Sequence, residues 1–252
     1  MALISIVTVV KDHAKGLSKT YSSLAQQSIY DWEMIVIIGE SKDSSLETAL
    51  SYHRNDSRLK IIAQSGLGIY SAMNEGIKQA EAKYMWFMNA GDTFAKESVL
   101  ESALRKVNEY QVGVVIGCYQ VLTENTIKTY SHQNMGLSEL KFAFGRRDRH
   151  EAMIFASDIV KQLGGYKTEI SLASDFDFIL RVIRTAGARR VSEVYALVES
   201  GGVSDRNLVE VHRQKHKIRK DFFGRKLISA GSTLWTIAAK IKVNLKRCVS
   251  IS

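Results

Sequence analysis

The chain contains no proline, so its turns must rely on glycine, asparagine, aspartate and serine. It has only two cysteines, Cys118 and Cys248, which lie far apart and without the spacing of metal ligands. The shortage of cysteine excludes a disulfide framework and a cysteine-based zinc site. It also fits a protein that works in a reducing compartment.

Nothing in the N-terminal residues indicates a signal peptide. The apolar run that ends at Val10 has no basic residues before it, and Lys11, Asp12 and His13 follow it at once. We therefore expect this run to form the first strand of a folded domain.

Acidic residues are nearly absent from the last part of the chain. Residues 212–252 contain eleven lysines and arginines against Asp221 alone, a net charge of +10, whereas the whole chain carries +9. The preceding residues therefore sum to about −1. The basic character belongs to a tail and not to the body of the protein.

This tail includes an apolar stretch over 227–239, which contains Trp235 and is bracketed by Lys226 and Lys240. Its thirteen residues are too few to span a bilayer. A basic helix with tryptophan and leucine on one face favours binding of 212–252 to an anionic membrane surface. A solvated, partly disordered end and a nucleic-acid-binding segment are the alternatives. We expect no nucleic acid, because no recognisable nucleic-acid module accompanies the tail.

Apolar runs and helical periodicities alternate along the first ninety or so residues. The pattern predicts strands over 3–10, 32–38, 59–63 and 84–88, and helices over 16–27, 44–54 and 69–82. Such alternation needs crossover connections, so it predicts an α/β fold with a mostly parallel sheet flanked by helices. Ligands bind at the carboxyl ends of strands in such sheets. The loops after Val10, Ile38, Ala63 and Met88 therefore form the expected functional edge.

Beyond Asp92 the alternation changes. The pattern predicts a helix over 96–110, a strand over 112–117 and an antiparallel stretch that runs to Tyr130. A charged loop over 145–150 precedes a short apolar run over 152–155. Apolar spacing then predicts an amphipathic helix over 174–186.

Residues 89–92 (NAGD) stand where the apolar run over 84–88 breaks into a loop. A carboxylate at that place, Asp92, is suited to a divalent cation bound to a diphosphate. Mg²⁺ and Mn²⁺ prefer oxygen ligands and share them with phosphate groups. A plain turn is the alternative, since asparagine, glycine and aspartate are common turn residues.

Residues 174–177 (SDFD) stand at the start of a predicted helix. A carboxylate near a helix N-terminus is stabilised as the anion, and a positioned anion can serve as a general base. The alternative is helix capping, with Ser174 and Asp177 forming a capping box in which aspartate replaces glutamate.

Several short motifs occur in a fixed order between Ser5 and Arg181. They are SIVTVV over 5–10, GESKD over 39–43, GIYSAMNEGI over 68–77, FMNAGD over 87–92, HEA over 150–152, GGY over 164–166 and ASDFD over 173–177. Together they resemble the motifs of the inverting family-two glycosyltransferases, and more narrowly the bacterial members that assemble polysaccharides. The resemblance implies the GT-A fold, with a catalytic domain over 1–205 and a helical, basic C-terminal extension over 206–252.

The resemblance also implies roles for individual residues. Asp175 matches the catalytic base, and Asp92 matches the carboxylate that holds a divalent cation, Mn²⁺ or Mg²⁺, with the donor diphosphate. His150 is a further candidate for the metal or for a phosphate, beside Arg146, Arg147 and Arg149; a surface histidine is the alternative. The expected nucleotide-binding residues are Thr8, Val10, Gly39, Asp43, Asn74, Asn89 and Asp92.

At five positions the chain departs from the family pattern. Ile38, Gly66, Ser71, Gly91 and Ser174 stand where relatives usually carry an acidic residue. Fewer carboxylates should weaken metal binding. They also motivate an alternative function, a catalytically impaired subunit that binds sugar nucleotides or acts as a scaffold.

The expected function is transfer of a sugar, by a hexosyltransferase, from a nucleoside-diphosphate donor to a hydroxyl of a lipid-linked oligosaccharide with inversion. The resemblance places this reaction in the synthesis of a bacterial surface polysaccharide such as O-antigen, capsule or exopolysaccharide. The expected location is cytoplasmic, peripheral on the inner face of the plasma membrane. A dinucleotide-binding oxidoreductase does not fit, because residues 11–16 (KDHAKG) lack the GxGxxG pattern.

Overall fold

A computed structural model of the chain describes residues 2–123, 126–144 and 148–224. Arg146, Arg147, Cys248 and the apolar stretch over 227–239 lie outside the described residues. The described strands are β1 (Ile4–Val10), β2 (Trp32–Ile38), β3 (Leu59–Ala63), β4 (Tyr84–Phe87), β5 (Thr93–Phe94), β6 (Val114–Leu122), β7 (Ile127–Tyr130), β8 (Met135–Gly136), β9 (Met153–Ala156) and β10 (Ala188–Glu199).

The described helices are α1 (Ala14–Ala25), α2 (Ser45–Asn55), α3 (Ile69–Gln79), α4 (Val99–Tyr110), α5 (Glu139–Phe144), α6 (Ser157–Gln162), α7 (Ser174–Ala186), α8 (Val203–Arg206) and α9 (Leu208–Phe223). A single 3-10 turn over His150–Ala152 precedes β9. The sequence pattern predicted β2, β3 and α7 with these same bounds.

The strands form one sheet in the order β3-β2-β1-β4-β9-β6-β10-β5, with β7 on β6 and β8 on β10. Strands β1 to β4 are parallel, and Val10, Ile38 and Ala63 are register partners at the ends of β1, β2 and β3. Strand β9 runs antiparallel to both β4 and β6, so β6 and its parallel partner β10 point the same way as β1. These six strands end at one edge, which we call the carboxyl edge. The mostly parallel sheet flanked by helices is confirmed.

Strands β1 and β2 are buried on both faces, which explains their continuous runs of β-branched and other apolar residues. One face of the sheet carries a core that includes Trp32 and Trp86, and the other carries Phe87, Phe155 and Phe178. Helix α3 lies directly on β1 at Gly76, where a Cβ atom would approach Val7 Cγ1 to 2.3 Å. Glycine at this position therefore permits the close packing that sets the place of α3.

Two helices are shorter than the sequence pattern predicts. Helix α3 ends at Gln79 because the next N–H groups bond to side chains of the sheet: Glu81 N donates to Glu33 Oε1 and Ala82 N donates to Ser5 Oγ. Helix α4 begins at Val99, after a segment in which Gln27 Nε2 donates to the Lys96 carbonyl. In both places a tertiary hydrogen bond replaces a helical one.

Helix α9 carries many of the basic residues of the predicted extension, and it packs on α5 and on the segment before α7. Val211 and Ile218 are buried. Gln214 Oε1 accepts a hydrogen bond from Leu172 N, just before α7, and Arg219 Nε donates to the Ala143 carbonyl of α5. The division at 205/206 stays a prediction, but these contacts mean that a truncation meant to spare the body must lie beyond α9.

Candidate active site

The loop over 89–92 is held in place by Thr20 of α1. The Thr20 hydroxyl is fully buried, donates to the Asp92 carbonyl at 2.7 Å and accepts from Gly91 N at 3.1 Å. Gly91 has φ +104°, a conformation that favours glycine, and a Cβ atom there would meet Glu199 Oε2 at 2.5 Å. The backbone thus excludes a side chain at position 91, and the carboxylate of Glu199 occupies that space.

Asp92 is only 6% exposed, although it belongs to a loop at the carboxyl edge. Its Oδ1 accepts a hydrogen bond from Glu199 N at 2.9 Å. Burial, followed by the negative charge of Glu151, raises the pKa of Asp92 well above its usual value. A carboxylate so placed favours a nearby cation, which is the property that a metal–diphosphate ligand needs.

Glu151 and His150 reach this loop from the turn before β9. The buried Glu151 carboxylate accepts a hydrogen bond from Asn89 Nδ2 at 3.2 Å, and its backbone carbonyl accepts one from the Trp86 indole at 2.8 Å. His150 is 6% exposed, so the surface alternative for this residue is wrong. Among the described residues neither ring nitrogen of His150 has a hydrogen-bond partner; Nε2 lies 3.7 Å from Glu151 Oε1 and Nδ1 lies 3.9 Å from Asp175 Oδ2.

Asp175 stands at the first turn of α7, and its side chain is 25% exposed. Its Oδ1 accepts from the Tyr70 hydroxyl at 3.4 Å, and its Oδ2 lies 3.9 Å from His150 Nδ1. Burial, and then the charge of Asp175, raise the pKa of Tyr70 well above its usual value, so its phenol remains a donor. The Asp175 carboxyl group is thus partly accessible, lies at a helix N-terminus and is held by a neighbouring hydroxyl.

The capping alternative for 174–177 is wrong. The N-cap position is Ala173, no side chain caps the helix, and the Ser174 hydroxyl is buried without a partner. Asp177 is 3% exposed and pairs with Lys167 Nζ at 3.0 Å and with Arg181 Nε at 2.7 Å. Asp177 is therefore a buried structural anion, whereas Asp175 faces the site.

A network behind Asp175 joins α7 to α3 through the turn over 164–166. The Arg181 guanidinium donates to the Leu163 and Gly165 carbonyls at 2.9 and 2.6 Å. The Asn74 amide exchanges two hydrogen bonds of 2.8 Å with the backbone of Tyr166. The predicted role of Asn74 at the nucleotide remains a prediction, but its observed contacts fix α3, and with it Tyr70, relative to α7.

A second cluster closes the loop after β1 against the end of β10. His13 Nε2 lies 3.0 Å from Glu199 Oε2, and Lys19 Nζ lies 3.1 Å from Glu199 Oε1. Burial opposes ionisation of Glu199, but its bonds to Lys19 and His13 outweigh burial and lower its pKa. The cluster places two cationic or titratable groups beside Gly91 and Asp92.

The predicted nucleotide-binding residues Thr8, Val10, Gly39 and Asp43 lie at or just beyond the carboxyl ends of β1 and β2. The Asp43 carboxylate accepts from Ala14 N at 2.9 Å and from the Ser45 hydroxyl at 2.6 Å. The Ser45 bond, and then the Ala14 bond, lower the pKa of Asp43. Asp43 thus ties together the two loops that border the predicted nucleotide pocket, and its contact with a nucleotide stays a prediction.

The structure brings four predicted residues to one region: Asn89, Asp92, His150 and Asp175. Sequence reasoning did not assign roles to Tyr70 or Glu151, although both lie in motifs that it singled out. It missed His13 and Glu199 altogether. A signal for Glu199 would have been a carboxylate directly at the end of a strand parallel to β1, but that strand was not recognised.

A divalent cation fits this site only if a bound phosphate supplies further oxygen ligands. Within the described part of the chain, no three histidine, cysteine, aspartate or glutamate side chains are placed to chelate a metal ion. The buried Asp92 carboxylate and the unpartnered Asn89 Oδ1 are suitable oxygen donors. One or two protein oxygens plus the oxygens of a bound phosphate are the donor set that Mg²⁺ commonly uses.

Comparison with protein families decides what kind of protein this is. The model described as Glycosyl transferase family 2 matches residues 5–170, which is more than half of the chain. The chain belongs to glycosyl transferase family 2.

Two family 2 relatives show how much of each chain is shared. An uncharacterized glycosyltransferase of Bacillus subtilis, EpsJ, is 28% identical over 128 residues, which are 51% of this chain and 37% of that relative. A PGL/p-HBAD biosynthesis glycosyltransferase of Mycobacterium tuberculosis is 24% identical over 181 residues, which are 71% of this chain and 69% of that relative. The match to EpsJ thus spans little more than a third of its length.

Two solved structures have the same fold as this family 2 chain. The structure of S. aureus TarS 1–349 in complex with UDP matches with a TM-score of 0.69 at 19% identity, covering 87% of this chain and 66% of that one. Mannosyltransferase PcManGT from Pyrobaculum calidifontis, in complex with GDP-Man and Mn²⁺, matches with a TM-score of 0.67 at 12% identity, covering 88% and 64%. The predicted GT-A fold is confirmed.

Within residues 2–123, 126–144 and 148–224, no helix has both the length and the apolar character needed to cross a bilayer.

The different surroundings of the two α7 aspartates generate a prediction. Asp177→Asn should lower the free energy of unfolding by about 1–3 kcal/mol, because it weakens the charge-assisted hydrogen bonds that the buried Asp177 carboxylate accepts from Arg181 and Lys167. Asp175→Asn is the matched control and should unfold like the wild type in urea, since Asp175 is accessible to solvent. Equal unfolding curves for the wild type and Asp177→Asn would contradict the structural role.

Proposed function

We propose that this family 2 protein transfers a sugar from a nucleoside-diphosphate donor to a hydroxyl of an acceptor, with inversion at the anomeric carbon. The observation that carries the proposal is the juxtaposition of two carboxylates at the carboxyl edge. Asp175 is partly accessible and lies beside His150 and Tyr70. The buried Asp92 lies in the loop over 89–92, in which Asn89 donates a hydrogen bond to Glu151. One carboxylate suits proton transfer and the other suits a cation–diphosphate pair.

In the proposed reaction Asp175 accepts the proton of the acceptor hydroxyl as its oxygen attacks the anomeric carbon. The new bond forms on the face opposite the diphosphate, whose oxygen leaves with the electron pair of the broken bond. The Tyr70 hydroxyl holds Oδ1 of Asp175, which leaves Oδ2 on the side of His150. The unpartnered nitrogens of His150 are suited to orient the acceptor hydroxyl or to contact a phosphate.

Asp92, together with the diphosphate, would hold a divalent cation, Mn²⁺ or Mg²⁺. Such an ion neutralises charge that develops on the leaving diphosphate. Burial, and then the charge of Glu151, raise the pKa of Asp92, and a bound cation would offset both by favouring the ionised carboxylate. The solved neighbour PcManGT, which contains GDP-Man and Mn²⁺, supports it by analogy.

The proposed donor is a hexose carried by a nucleoside diphosphate, bound in the loops after β1 and β2 that contain Thr8, Val10, Gly39 and Asp43. The neighbours TarS, solved with UDP, and PcManGT, solved with GDP-Man, support a nucleotide-sugar donor by analogy. The proposed acceptor is a lipid-linked oligosaccharide in the synthesis of a bacterial surface polysaccharide such as O-antigen or capsule. The relative named for PGL/p-HBAD biosynthesis supports a biosynthetic role.

A second candidate function is a sugar-nucleotide-binding subunit that has lost turnover. It is favoured by the absence of carboxylates at Gly66, Ser71 and Gly91, positions where relatives carry acidic residues. Hydrolysis of a sugar nucleotide by the purified protein with Mn²⁺ distinguishes the two. Binding without any hydrolysis or transfer, across UDP-, GDP- and dTDP-sugars, would favour the subunit.

The role of Asp175 predicts the effect of its removal. Asp175→Asn should lower kcat about 100-fold or more and leave donor affinity nearly unchanged, because the base acts on the acceptor. Asp158→Asn, an exposed aspartate at the start of α6, is the matched control and should retain wild-type turnover. Full activity of Asp175→Asn would show that the base lies elsewhere.

The role of Asp92 predicts a loss of metal-dependent binding. In calorimetry with Mn²⁺ and UDP, GDP or dTDP, Asp92→Ala should lose the Mn²⁺-dependent part of the affinity. Asp31→Ala, at an exposed position before β2 and thus at the opposite edge of the sheet, should bind like the wild type. The same Mn²⁺-dependent affinity in Asp92→Ala and the wild type would refute the assignment.

We further propose that residues 212–252 hold the enzyme on the inner, anionic face of the plasma membrane, where a lipid-linked acceptor would be present. Each basic residue near such a surface contributes about 1 kcal/mol. Because α9 packs on the body, the truncation that tests the tail ends at Gly224. Full-length protein should sediment with anionic vesicles at low salt and less at high salt, and residues 1–224 should sediment less. Equal sedimentation of the two chains would refute a role for residues 225–252.

A further inference from the structure

Helices α5 and α9 carry neighbouring apolar side chains that we call the α5–α9 patch: the exposed Leu140 and Phe144, and the half-buried Phe222 and Phe223, which also pack against the core. Leu140 and Phe144 are 47% and 44% exposed and share one face of α5, since they are four residues apart. The Phe144 ring lies 6.2 Å from that of Phe223, which lies 5.4 Å from that of Phe222. Grouped apolar side chains at a surface, unlike scattered ones, indicate an interaction site.

Cationic side chains border this patch. The guanidinium carbon of Arg184 lies 3.6 Å from the centre of the Phe222 ring, and that of Arg219 lies 5.6 Å from the Phe144 ring. Arg184 also pairs with the Glu139 carboxylate at 3.0 Å, and the exposed Asp221 directly precedes Phe222. The exposed Arg184 thus presents its charge beside apolar groups, whereas Arg219 is half-buried and donates to the Ala143 carbonyl.

The two chain segments that continue from the patch are also basic in sequence. Arg146 and Arg147 follow Phe144 closely, and residues 225–252, which follow α9, contain six lysines or arginines and no acidic residue. Their structure lies outside the described residues, but their charge adds to that of Arg184 and Arg219. The chemical complement of such a surface is anionic and partly apolar.

The patch lies close to the segment that presents the proposed base. The Arg219 guanidinium carbon is 5.1 Å from the ring of Phe176, the residue after Asp175. On the buried face of α5, Phe142 stacks on Phe176 with ring centres 5.4 Å apart. The Phe144 side of the patch is thus near the end of α7 that carries Asp175, and the Phe222 side is near Arg184 in the last turn of that helix.

We propose that the α5–α9 patch is a lipid-docking surface, in which Leu140 and Phe144 enter the interfacial region of an anionic membrane and the arginines contact its headgroups. Aromatic and leucine side chains next to cationic ones are the combination that binds such interfaces. This inference rests on the proposed membrane role of the enzyme and extends it, because it assigns part of the binding to the folded body. The tail would bind by charge and through its apolar stretch over 227–239, and the patch adds a further apolar contribution that salt does not screen.

The test compares vesicle binding of the full-length double variant Leu140→Ser/Phe144→Ser with that of the wild type, without donor or acceptor. The vesicles contain phosphatidylglycerol, or phosphatidylcholine alone as the neutral arm. The control is Tyr30→Ser/Ile127→Ser, which removes two large side chains elsewhere on the surface that are more exposed than those of the patch, 72% and 66%. Thermal melting of each variant checks that the fold is retained.

We expect the patch variant to lose about tenfold or more in its partition coefficient for anionic vesicles, with the largest relative loss at high salt. The control variant should bind like the wild type. As a second measurement, Leu140→Cys in a Cys248→Ser background, labelled with an environment-sensitive fluorophore, should shift to shorter emission wavelength on anionic vesicles. This readout does not depend on the stability of the double variant.

Unchanged binding of the patch variant together with an unshifted label would overturn the proposal. If truncation after Gly224 then abolished binding, the tail would act alone and the proposed membrane role would stand. If no form of the protein sedimented, both the patch and the membrane role would be wrong. Two other occupants have distinct outcomes that also overturn the proposal: concentration-dependent dimers lost in the patch variant would indicate a second copy, and a label shift on truncation without vesicles would indicate cover by residues 225–252.

Discussion

The antiparallel placement of β9 between β4 and β6 is the constraint on which the site depends. Parallel strands bring only their carboxyl ends to the functional edge, but β9 runs the other way and brings its amino end there. The turn before β9, which carries His150 and Glu151, is therefore placed beside the loop after β4. The buried hydrogen bond from the Trp86 indole to the Glu151 carbonyl fixes the two strands at this point.

Electrostatics follow from that placement. Glu151 and Asp92 are both buried, and Arg149 beside them pairs with Asp205 at 3.2 Å. Burial works against the charge of Arg149, but Glu151 and Asp205 outweigh it and raise the pKa of its guanidinium. Two buried carboxyl groups thus lie together at the carboxyl edge, while the nearby Arg149 pairs with a third, that of Asp205. A cation bound together with a diphosphate would stabilise the ionised form of such groups.

The first turn of α7 carries two aspartates in different surroundings, the proposed base Asp175 and the structural residue Asp177. Asp175 and Asp177 are neighbours in sequence, but the helix turns one toward the site and the other toward Lys167 and Arg181. The buried pair anchors the turn that binds Asn74, while α9 supports the segment before Ala173. The proposed base is thus held from both sides by residues that touch no reacting atom, which is how a catalytic carboxylate keeps its orientation.

The amino-acid sequence by itself determined the α/β class, the parallel strands β1 to β4 and the bounds of α7. Hydrophobic periodicity is a local property that burial on one or both faces imposes directly. The order of the motifs, through their resemblance to those of family 2, also singled out Asp92 and Asp175 as candidates. Only the tertiary structure decided that Asp175 is partly accessible while Asp177 is buried. It also decided that His150 is enclosed with no hydrogen-bond partner among the described residues, and that Glu199 occupies the space beside Gly91. Those outcomes depend on strand order and on contacts between residues as far apart in the sequence as His13 and Glu199. A local sequence pattern does not predict contacts between residues so far apart.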